Sequence, residues 1–251
     1  MTAMPPDPRL IAIASGKGGV GKTWFAITLA QALTRLGRRV LLFDADLGLA
    51  NIDVQLGMTP EHDLGSVLTG QVTLERAVMR HPEGKFDILA GRSGSGALSG
   101  LDRAQLDSVL AMPRQGSEGY DDVLLDLGAG VERAVRRMAA ASDLLLVLAT
   151  EEPTSLTDAY AVLKLFHIDR PDGEARIVVN TASSRGAGER TYTTLQRACR
   201  AFLRFEPALA GVIRRDDRVR DAIRRQCLLL TRSPGCPAAQ DVEGVAAGMV
   251  R

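Results

Sequence analysis

Short aliphatic runs alternate with longer amphipathic stretches along most of this chain. The aliphatic runs are almost wholly apolar, which is typical of strands that are covered on both faces of a sheet. Seven of these runs are predicted as strands, at residues 10–14, 40–44, 86–90, 122–126, 144–149, 176–180 and 209–213. Six amphipathic stretches are predicted as helices, at residues 23–36, 103–111, 131–140, 156–166, 190–203 and 219–226. This alternation predicts an α/β fold: one three-layer α/β/α domain over residues 1–251, with a mostly parallel, twisted sheet.

Composition and charge narrow the class of protein. The chain has 251 residues, of which 45% are hydrophobic and only 4% aromatic, so we expect an aliphatic core. Its 31 basic and 30 acidic residues argue against a nucleic-acid binder that uses its whole surface, although a local basic patch stays open. No apolar run approaches the ~20 residues of a membrane span, and the first ten residues lack a signal pattern. The three cysteines form no C-x-x-C pair, which is typical of free thiols in a reducing compartment. We therefore expect a cytoplasmic protein.

A glycine-rich segment, SGKGGVGKTW, lies between the first predicted strand and the first predicted helix. Residues 16–23 fit the phosphate-binding pattern G-x-x-x-x-G-K-[ST]. Its glycines let several backbone N–H groups point at one phosphate chain, and the following helix adds the positive end of its dipole. In such a loop Lys22 neutralises charge on the β- and γ-phosphates, and the Thr23 hydroxyl ligates Mg²⁺. The predicted nucleotide-binding residues here are Gly16, Lys17, Gly18, Gly19, Val20, Gly21, Lys22, Thr23 and Trp24. We expect Trp24, the only tryptophan, to pack at the start of the helix.

Three aspartates are placed where two other predicted strands end. Asp44 and Asp46 are two residues apart, so alternation along an extended chain puts both on the same side, at the carboxyl end of the sheet. Asp126 ends a later strand and is followed by glycines, which is the Walker B arrangement that holds Mg²⁺ directly or through water. We predict Thr23 and Asp126 as metal-binding residues. Strand-end capping is the alternative role for the aspartates.

The spelling K-G-G-V-G-K-T resembles the deviant Walker A motif of the ParA/MinD family, which are P-loop NTPases of the SIMIBI type. In that family the additional lysine crosses a dimer interface and contacts the ATP of the other subunit. The resemblance therefore implies a homodimer that forms on ATP, with ATP or ADP and Mg²⁺ as cofactors. It also implies that Lys17, Lys22 and Asp46 are catalytic, with Asp46 orienting the hydrolytic water. The resemblance further implies that Asp44 supports the Mg²⁺ shell, so that the metal-binding residues are Thr23, Asp44 and Asp126. The family usually has D-x-P-A-G after the Walker B strand; Leu127-Gly128 stands here, which can alter the rate of hydrolysis.

Two further positions are predicted to contact adenine. Asn180 ends a predicted strand, where its amide can read the donor and acceptor edge of a purine. Asp216 lies in the loop after the last predicted strand, where relatives carry a proline two residues earlier. Arg214 replaces that proline, so we expect a base pocket of different shape.

Three longer segments resemble the flagellar-number regulators, the FlhG/FleN branch beside MinD: DADLGLANIDVQLG, EPTSLTDAYAVLK and AIRRQCLLLTRSPGCPAA. The resemblance implies a slow regulatory ATPase that controls flagellar number, flagellar placement or a related positioning process. It also implies a protein partner: a flagellar GTPase, a transcription activator or a polar or switch component. The first ten residues lack the GTPase-activating D-Q-A-x-x-L-R pattern of that branch. The tail DVEGVAAGMVR has a single basic residue, so we expect it to be a poor membrane anchor.

Two other functions stay open at this point. A non-hydrolytic adaptor or anti-activator would bind ATP only for structure. A partition-type ATPase would use the same site but bind DNA non-specifically through a basic dimer face, with an affinity that falls steeply with salt.

Overall fold

An eight-stranded sheet forms the centre of the molecule in the computed structural model, which describes residues 7–46, 48–91, 103–115 and 119–250. The strands are β1 (Arg9–Ser15), β2 (Val40–Ala45), β3 (Met79–Arg80), β4 (Asp87–Leu89), β5 (Asp122–Ala129), β6 (Leu144–Ala149), β7 (Glu174–Ala182) and β8 (Ala208–Arg214). Their order in the sheet is β3-β4-β2-β5-β1-β6-β7-β8, and every neighbouring pair is parallel except β3 and β4. The seven predicted strands are confirmed, and the two-residue β3 is an addition to them.

Helices cover both faces of this sheet. The six predicted helices are all present, most of them with shifted ends, and five further ones are not predicted from the periodicity. Four of those five have only four or five residues, which is too short for a 3.6-residue period to repeat. In the described part of the chain the helices are α1 (Lys22–Arg35), α2 (Ile52–Leu56), α3 (Leu64–Leu68), α4 (Leu74–Ala77), α5 (Arg103–Gln115), α6 (Arg133–Ala141), α7 (Pro153–Asp169), α8 (Arg185–Leu203), α9 (Asp217–Arg224), α10 (Leu229–Arg232) and α11 (Pro237–Val250).

The central strands are apolar throughout because each of their faces contributes to a different core. In β1, Ile11 and Ile13 pack into one apolar cluster with α1 and α11. Leu10, Ala12 and Ala14 pack into a second cluster with α6, α7 and α8 on the opposite face. This division confirms the three-layer α/β/α architecture. It also explains why the strand sequences show no polar alternation.

The first helix is fixed at both ends by glycines. Gly21 precedes it with φ +93°, and Gly37 follows it with φ +84°, both in a region that other residues rarely adopt. At the far end the N–H of Gly37 donates to the Thr34 carbonyl and that of Arg38 to the Leu33 carbonyl, which closes the last turn. Because α1 is buried along most of its length, the loop that precedes it is held rigidly against the sheet.

The final helix, α11, belongs to the core. Its Val242, Val245, Ala246 and Met249 are buried, and the helix packs on α1 and β8. Many of its residues are alanine or glycine, so its apolar face gives little contrast in the sequence. Among the described residues, no helix is both long and apolar enough to cross a membrane.

Candidate nucleotide and catalytic site

The order of three neighbouring strands brings the predicted phosphate and metal residues together. β5 lies between β2 and β1, and in the register Asp44 of β2 is directly beside Asp126 of β5. The glycine-rich loop follows β1, whose Ile13 pairs with the same Asp126. The two carboxylates and Lys22 therefore meet at the carboxyl edge of the sheet, where ligands of open α/β folds bind.

The glycine-rich loop owes its position to close backbone contacts. A Cβ on Gly16 would lie 2.3 Å from the carbonyl oxygen of Asp158, so α7 can approach only because this residue is glycine. A Cβ on Gly21 would lie 2.6 Å from the amide nitrogen of Asn180. At Gly18 and Gly19 the same added atom would meet nothing within 4 Å, so this part of the loop faces open space. The closed side fixes the loop, and the open side is free to receive phosphate.

Asp126 is the most electrostatically strained group of the site. It is 2% exposed, and its Oδ1 is buried without a hydrogen-bond partner among the described residues. Burial raises the pKa of Asp126 to about 8, and the neighbouring charge of Asp44 adds to this rise. Hydrogen bonding from the Thr23 hydroxyl and the charge of Lys22 both oppose it. A buried carboxylate oxygen with no donor is an incomplete environment that a cation would complete.

Burial and the neighbouring carboxylates also shift the pKa of Lys22. Lys22 is 9% exposed, and burial lowers the pKa of its ammonium group. The charges of Asp126 and Asp46 partly offset this effect and favour the protonated form. Lys22 and the aspartates thus stabilise one another, and the structure confirms that they share one environment.

Asp44 and Asp46 hold the chain that follows β2. Asp44 accepts hydrogen bonds from the N–H groups of Asn51 (2.9 Å) and Ile52 (3.0 Å), where α2 begins. Burial raises the pKa of Asp44 to about 7, although these backbone donors oppose the rise. Asp46 accepts from the N–H of Leu49 at 2.9 Å and also from that of Gly48. The two carboxylates therefore control the conformation of residues 48–52 in addition to any contact with a ligand.

Gly128 brings the segment after β5 against Asp46. A Cβ on Gly128 would lie 3.2 Å from Asp46 Oδ1, which is tighter than an ordinary contact. Leu127 points away from the site and is fully buried in the core. The departure from D-x-P-A-G thus leaves room for the carboxylate of Asp46 in its present position.

The residues at the strand ends fit a Mg²⁺ ion that is bound together with phosphates. No group of three or more His, Cys, Asp or Glu side chains forms a complete metal cage in the described ranges. Mg²⁺ does not require one, because it is usually held by one or two carboxylates with waters and substrate phosphates. The unpartnered Asp126 oxygen near the Thr23 hydroxyl supplies donors of this type.

A cleft of about 330 Å³ extends from the glycine-rich loop to α9. It is lined by residues 17–21 of the loop and by Trp24, Asn180 and Asp216. Trp24 packs in the core as predicted and is 6% exposed. The structure therefore places both predicted adenine contacts on one cleft with the phosphate loop.

The polar atoms of both predicted adenine contacts already have protein partners. Asn180 Nδ2 donates to the Val20 carbonyl at 2.7 Å, and its Oδ1 accepts from the Thr181 N–H at 2.9 Å. Asp216 caps α9, accepting from the N–H of Arg218 at 3.1 Å and from that of Ala238 at 3.4 Å. Asn180 keeps one free N–H and a second lone pair for a ligand. Contact of either residue with adenine stays a prediction. The structure shows that each residue also has a structural role in the cleft wall.

Arg214, which replaces the expected proline, forms an ion pair with a buried carboxylate of the core. Its guanidinium donates to both carboxylate oxygens of Asp241 in α11, at 2.8 and 2.9 Å. The Asp241 side chain is 1% exposed and also accepts from the Arg214 N–H and from Arg185. The buried carboxylate and its partly exposed arginine hold the end of β8, and so one wall of the cleft, against α11.

Lys17 forms an ion pair inside its own subunit. Its Nζ lies 2.7 Å from Glu152 Oε2 and 3.4 Å from Thr154 Oγ1, at the start of α7. The hydrogen bond to Glu152 raises the pKa of Lys17, and the same bond lowers the pKa of Glu152. Lys17 thus lies half-exposed on the rim of the cleft, paired to the start of α7. The sequence does not reveal this pairing, because 135 residues separate the two side chains.

Fold and site together define a P-loop nucleotide-binding protein. The model of the CobQ/CobB/MinD/ParA nucleotide binding domain matches residues 11–229, and this chain belongs to that family. It is 36% identical over 238 residues to the antiactivator FleN of Pseudomonas aeruginosa, which spans 95% of this chain and 85% of that protein. It is 28% identical over 245 residues to the flagellum site-determining protein YlxH of Helicobacter pylori, covering 97% and 82% of the two chains.

A solved structure supports the fold assignment. The septum site-determining protein MinD of Pyrococcus horikoshii, determined with Mg-ADP, superposes with a TM-score of 0.80 over 96% of both chains at 24% identity. These matches confirm the predicted resemblance to the ParA/MinD family and to its flagellar branch.

Proposed function

We propose that this protein is a Mg²⁺-dependent ATPase switch that forms a homodimer on ATP and separates after slow hydrolysis. The switch would control flagellar number, flagellar placement or a related positioning process. The names of its relatives, an antiactivator and a flagellum site-determining protein, support the process. The observation that carries the chemistry is the buried oxygen of Asp126 beside Lys22 and Thr23, which has no hydrogen-bond partner in the part of the chain that the structure describes.

In the proposed complex the triphosphate lies along the open side of the glycine-rich loop. Backbone N–H groups of the loop and the start of α1 hold the β-phosphate, and Lys22 neutralises charge toward the γ-phosphate. Thr23 and Asp126 would hold Mg²⁺, with Asp44 behind them, and the bound ion would supply charge neutralisation on the phosphate oxygens. The presence of Mg-ADP in the MinD structure supports this arrangement.

Hydrolysis requires a water molecule in line with the γ-phosphorus. We assign its orientation to Asp46, whose Oδ1 now accepts from Gly48 and Leu49. The oxygen of this water would bond to phosphorus while the bond to the β–γ bridging oxygen breaks, giving ADP and phosphate. To bind this water, Asp46 would give up its hydrogen bonds to the N–H groups of Gly48 and Leu49. Residues 48–49 would then be released. Hydrolysis and the shape of this surface segment would then be linked.

In the proposed dimer, Lys17 would contact the triphosphate bound to the second subunit. Its ion pair with Glu152 is exposed, and exposed pairs contribute little to stability because solvent screens them. Lys17 can therefore leave Glu152 at small cost when a more strongly charged group, such as a neighbouring subunit's triphosphate, is available. The start of α7 would then be the resting position of this side chain.

Phosphate release measured with Mg²⁺ and ATP tests the hydrolytic part of the proposal. We expect slow but measurable turnover in the wild type, and a loss of at least tenfold in Asp46→Asn with ATP still bound. Asp172→Asn, on an exposed turn, is the control and should match the wild type. Turnover that survives in Asp46→Asn would refute the assignment of Asp46.

A non-hydrolytic adaptor is the second candidate, and Gly128 is the observation that favours it. Gly128 stands beside Asp46 where the resemblance leads us to expect a proline, and this substitution would alter the segment that faces the attacking water. The antiactivator name of FleN is compatible with a protein that acts by binding a transcription activator. The adaptor function predicts ATP binding without phosphate release, and with no change in partner binding in Asp46→Asn.

A further inference from the structure

Gln226 connects α9, which lines the cleft, to α2, which follows the aspartates of β2. It lies two residues after the end of α9, and its Nε2 donates to the Val54 carbonyl of α2 at 2.8 Å, across 172 residues of sequence. Gln226 has φ +51°, a left-handed backbone conformation that residues other than glycine seldom adopt. Such conformations persist where the surroundings impose them, and they are frequent at switch regions.

The α2 end of this connection begins at the phosphate side. The N–H groups of Asn51 and Ile52, at the start of α2, donate to the carboxylate of Asp44. At the other end of α2, Gly57 has φ +63°, and a Cβ there would lie 2.9 Å from Gln226 Oε1. The Gln226 side chain therefore lies against the end of a five-residue helix whose start is held by a site carboxylate.

The α9 end of the connection lies at the base side. Val219, Arg220 and Ile223 of α9 line the cleft beyond Trp24 and Asn180. The backbone N–H of Gln226 donates to the Ile223 carbonyl at 3.0 Å, so the glutamine is joined directly to a residue of the cleft wall. A continuous chain of contacts thus runs from Asp44 through α2 and Gln226 to α9.

We propose that Gln226 is a positioning residue that couples α2, whose start is held by Asp44, to the cleft wall formed by α9. This inference rests on the proposed function, because it requires a nucleotide in the cleft. When a γ-phosphate and its metal ion interact with the Asp44 or Asp46 carboxylate, the hydrogen bonds from residues 48–52 change and α2 shifts. The hydrogen bond between Gln226 and Val54 transmits this shift to α9. The coupling is reciprocal, so contacts at the base also bias the segment after β2. One partly exposed hydrogen bond limits the effect to about two- to tenfold in an equilibrium constant.

Hydrogen–deuterium exchange in two nucleotide states tests the coupling. The protein is compared in Mg²⁺ with ADP and with a non-hydrolysable ATP analogue, and exchange is followed in α2 and α9. Gln226→Asn is the informative variant, because asparagine tolerates positive φ but its amide is one methylene too short to reach Val54. Arg204→Ala, at another residue with positive φ outside the cleft, is the control.

In the wild type and in the control we expect both helices to change exchange rate by about two- to tenfold between the two nucleotides. In Gln226→Asn we expect α2 to respond as before and α9 to lose most of its response. An α9 response that is unchanged in Gln226→Asn, or absent in the wild type, would overturn the inference. A separate binding titration distinguishes this failure from that of the proposed function, since wild-type protein that binds no ATP refutes both.

Discussion

Replacing Asp126 with asparagine tests whether the pKa of this carboxyl is raised as far as its buried surroundings indicate. Burial and the neighbouring Asp44 raise the pKa of Asp126 to about 8, against an ordinary value of 3.8. The folded protein therefore keeps a proton that the unfolded chain releases once the pH rises above about 4. The stability associated with this proton is complete below the ordinary pKa and is lost as the pH rises toward 8. Asparagine carries no such proton and should remove this pH dependence.

The size of the effect follows from the two pKa values. Between them, each pH unit lowers the free energy of unfolding by about 1.4 kcal/mol through this one carboxyl. From pH 6 to pH 8 the wild type should lose about 2 kcal/mol more than Asp126→Asn, or about 4–8 °C in melting temperature for a chain of this length. Asp44 lies beside Asp126, so the difference between the two proteins reports the titration of this coupled pair.

Thermal unfolding of nucleotide-free protein at pH 6, 7 and 8 measures this difference. Asp126→Asn should gain stability relative to the wild type as the pH rises, while Asp172→Asn should follow the wild type. With Mg²⁺ and ATP at pH 8 the wild type should be stabilised more than the variant, because the variant has lost the carboxylate that would face the ion. Parallel melting curves for wild type and Asp126→Asn across this pH range would refute the reasoning.

For three further substitutions, the local geometry determines the direction of the expected effect. Gly16→Ala places a Cβ 2.3 Å from a backbone oxygen of α7, so the free energy of unfolding should fall by about 1–3 kcal/mol in a denaturant titration. Gly128→Ala crowds the carboxylate of Asp46, so phosphate release should change at least threefold while ATP affinity stays within about twofold; equal rates would show that this contact is irrelevant to turnover. Asp241→Asn breaks a buried ion pair and should lower the free energy of unfolding by about 2–4 kcal/mol, whereas Glu243→Gln, in an exposed pair on the same helix, should change it by less than about 0.5 kcal/mol.

The convergence of the predicted phosphate and metal residues could be predicted from the sequence because local rules place them at one edge of the sheet. A strand that ends in aspartate puts a carboxylate at the carboxyl edge of a parallel sheet, and the glycine-rich loop must follow such a strand. The register of β2 and β5 then brings Asp44 beside Asp126. The strand pattern also gave the correct layers, since apolar runs without alternation require cover on both faces.

Contacts between distant segments could not be predicted in the same way. The pairs Lys17–Glu152 and Gln226–Val54 depend on how α7 and α9 cross the sheet, and no local pattern encodes that path. The helix α11 was missed because small residues give its buried face little contrast. Asn180 was expected to serve a ligand, yet its amide also supports the glycine-rich loop, which only the close approach of β7 to that loop could reveal.

The molar mass of the protein in solution tests the central claim that ATP joins two copies of this chain. Light scattering is recorded with Mg²⁺ and either ADP or a non-hydrolysable ATP analogue, for the wild type and for Lys17→Ala. We expect the wild type to change from one subunit of 26.8 kDa with ADP to two subunits with the analogue. We expect Lys17→Ala to bind the analogue and remain a single subunit. A wild type that is saturated with the analogue and stays monomeric, or a Lys17→Ala variant that pairs as well as the wild type, would contradict the account.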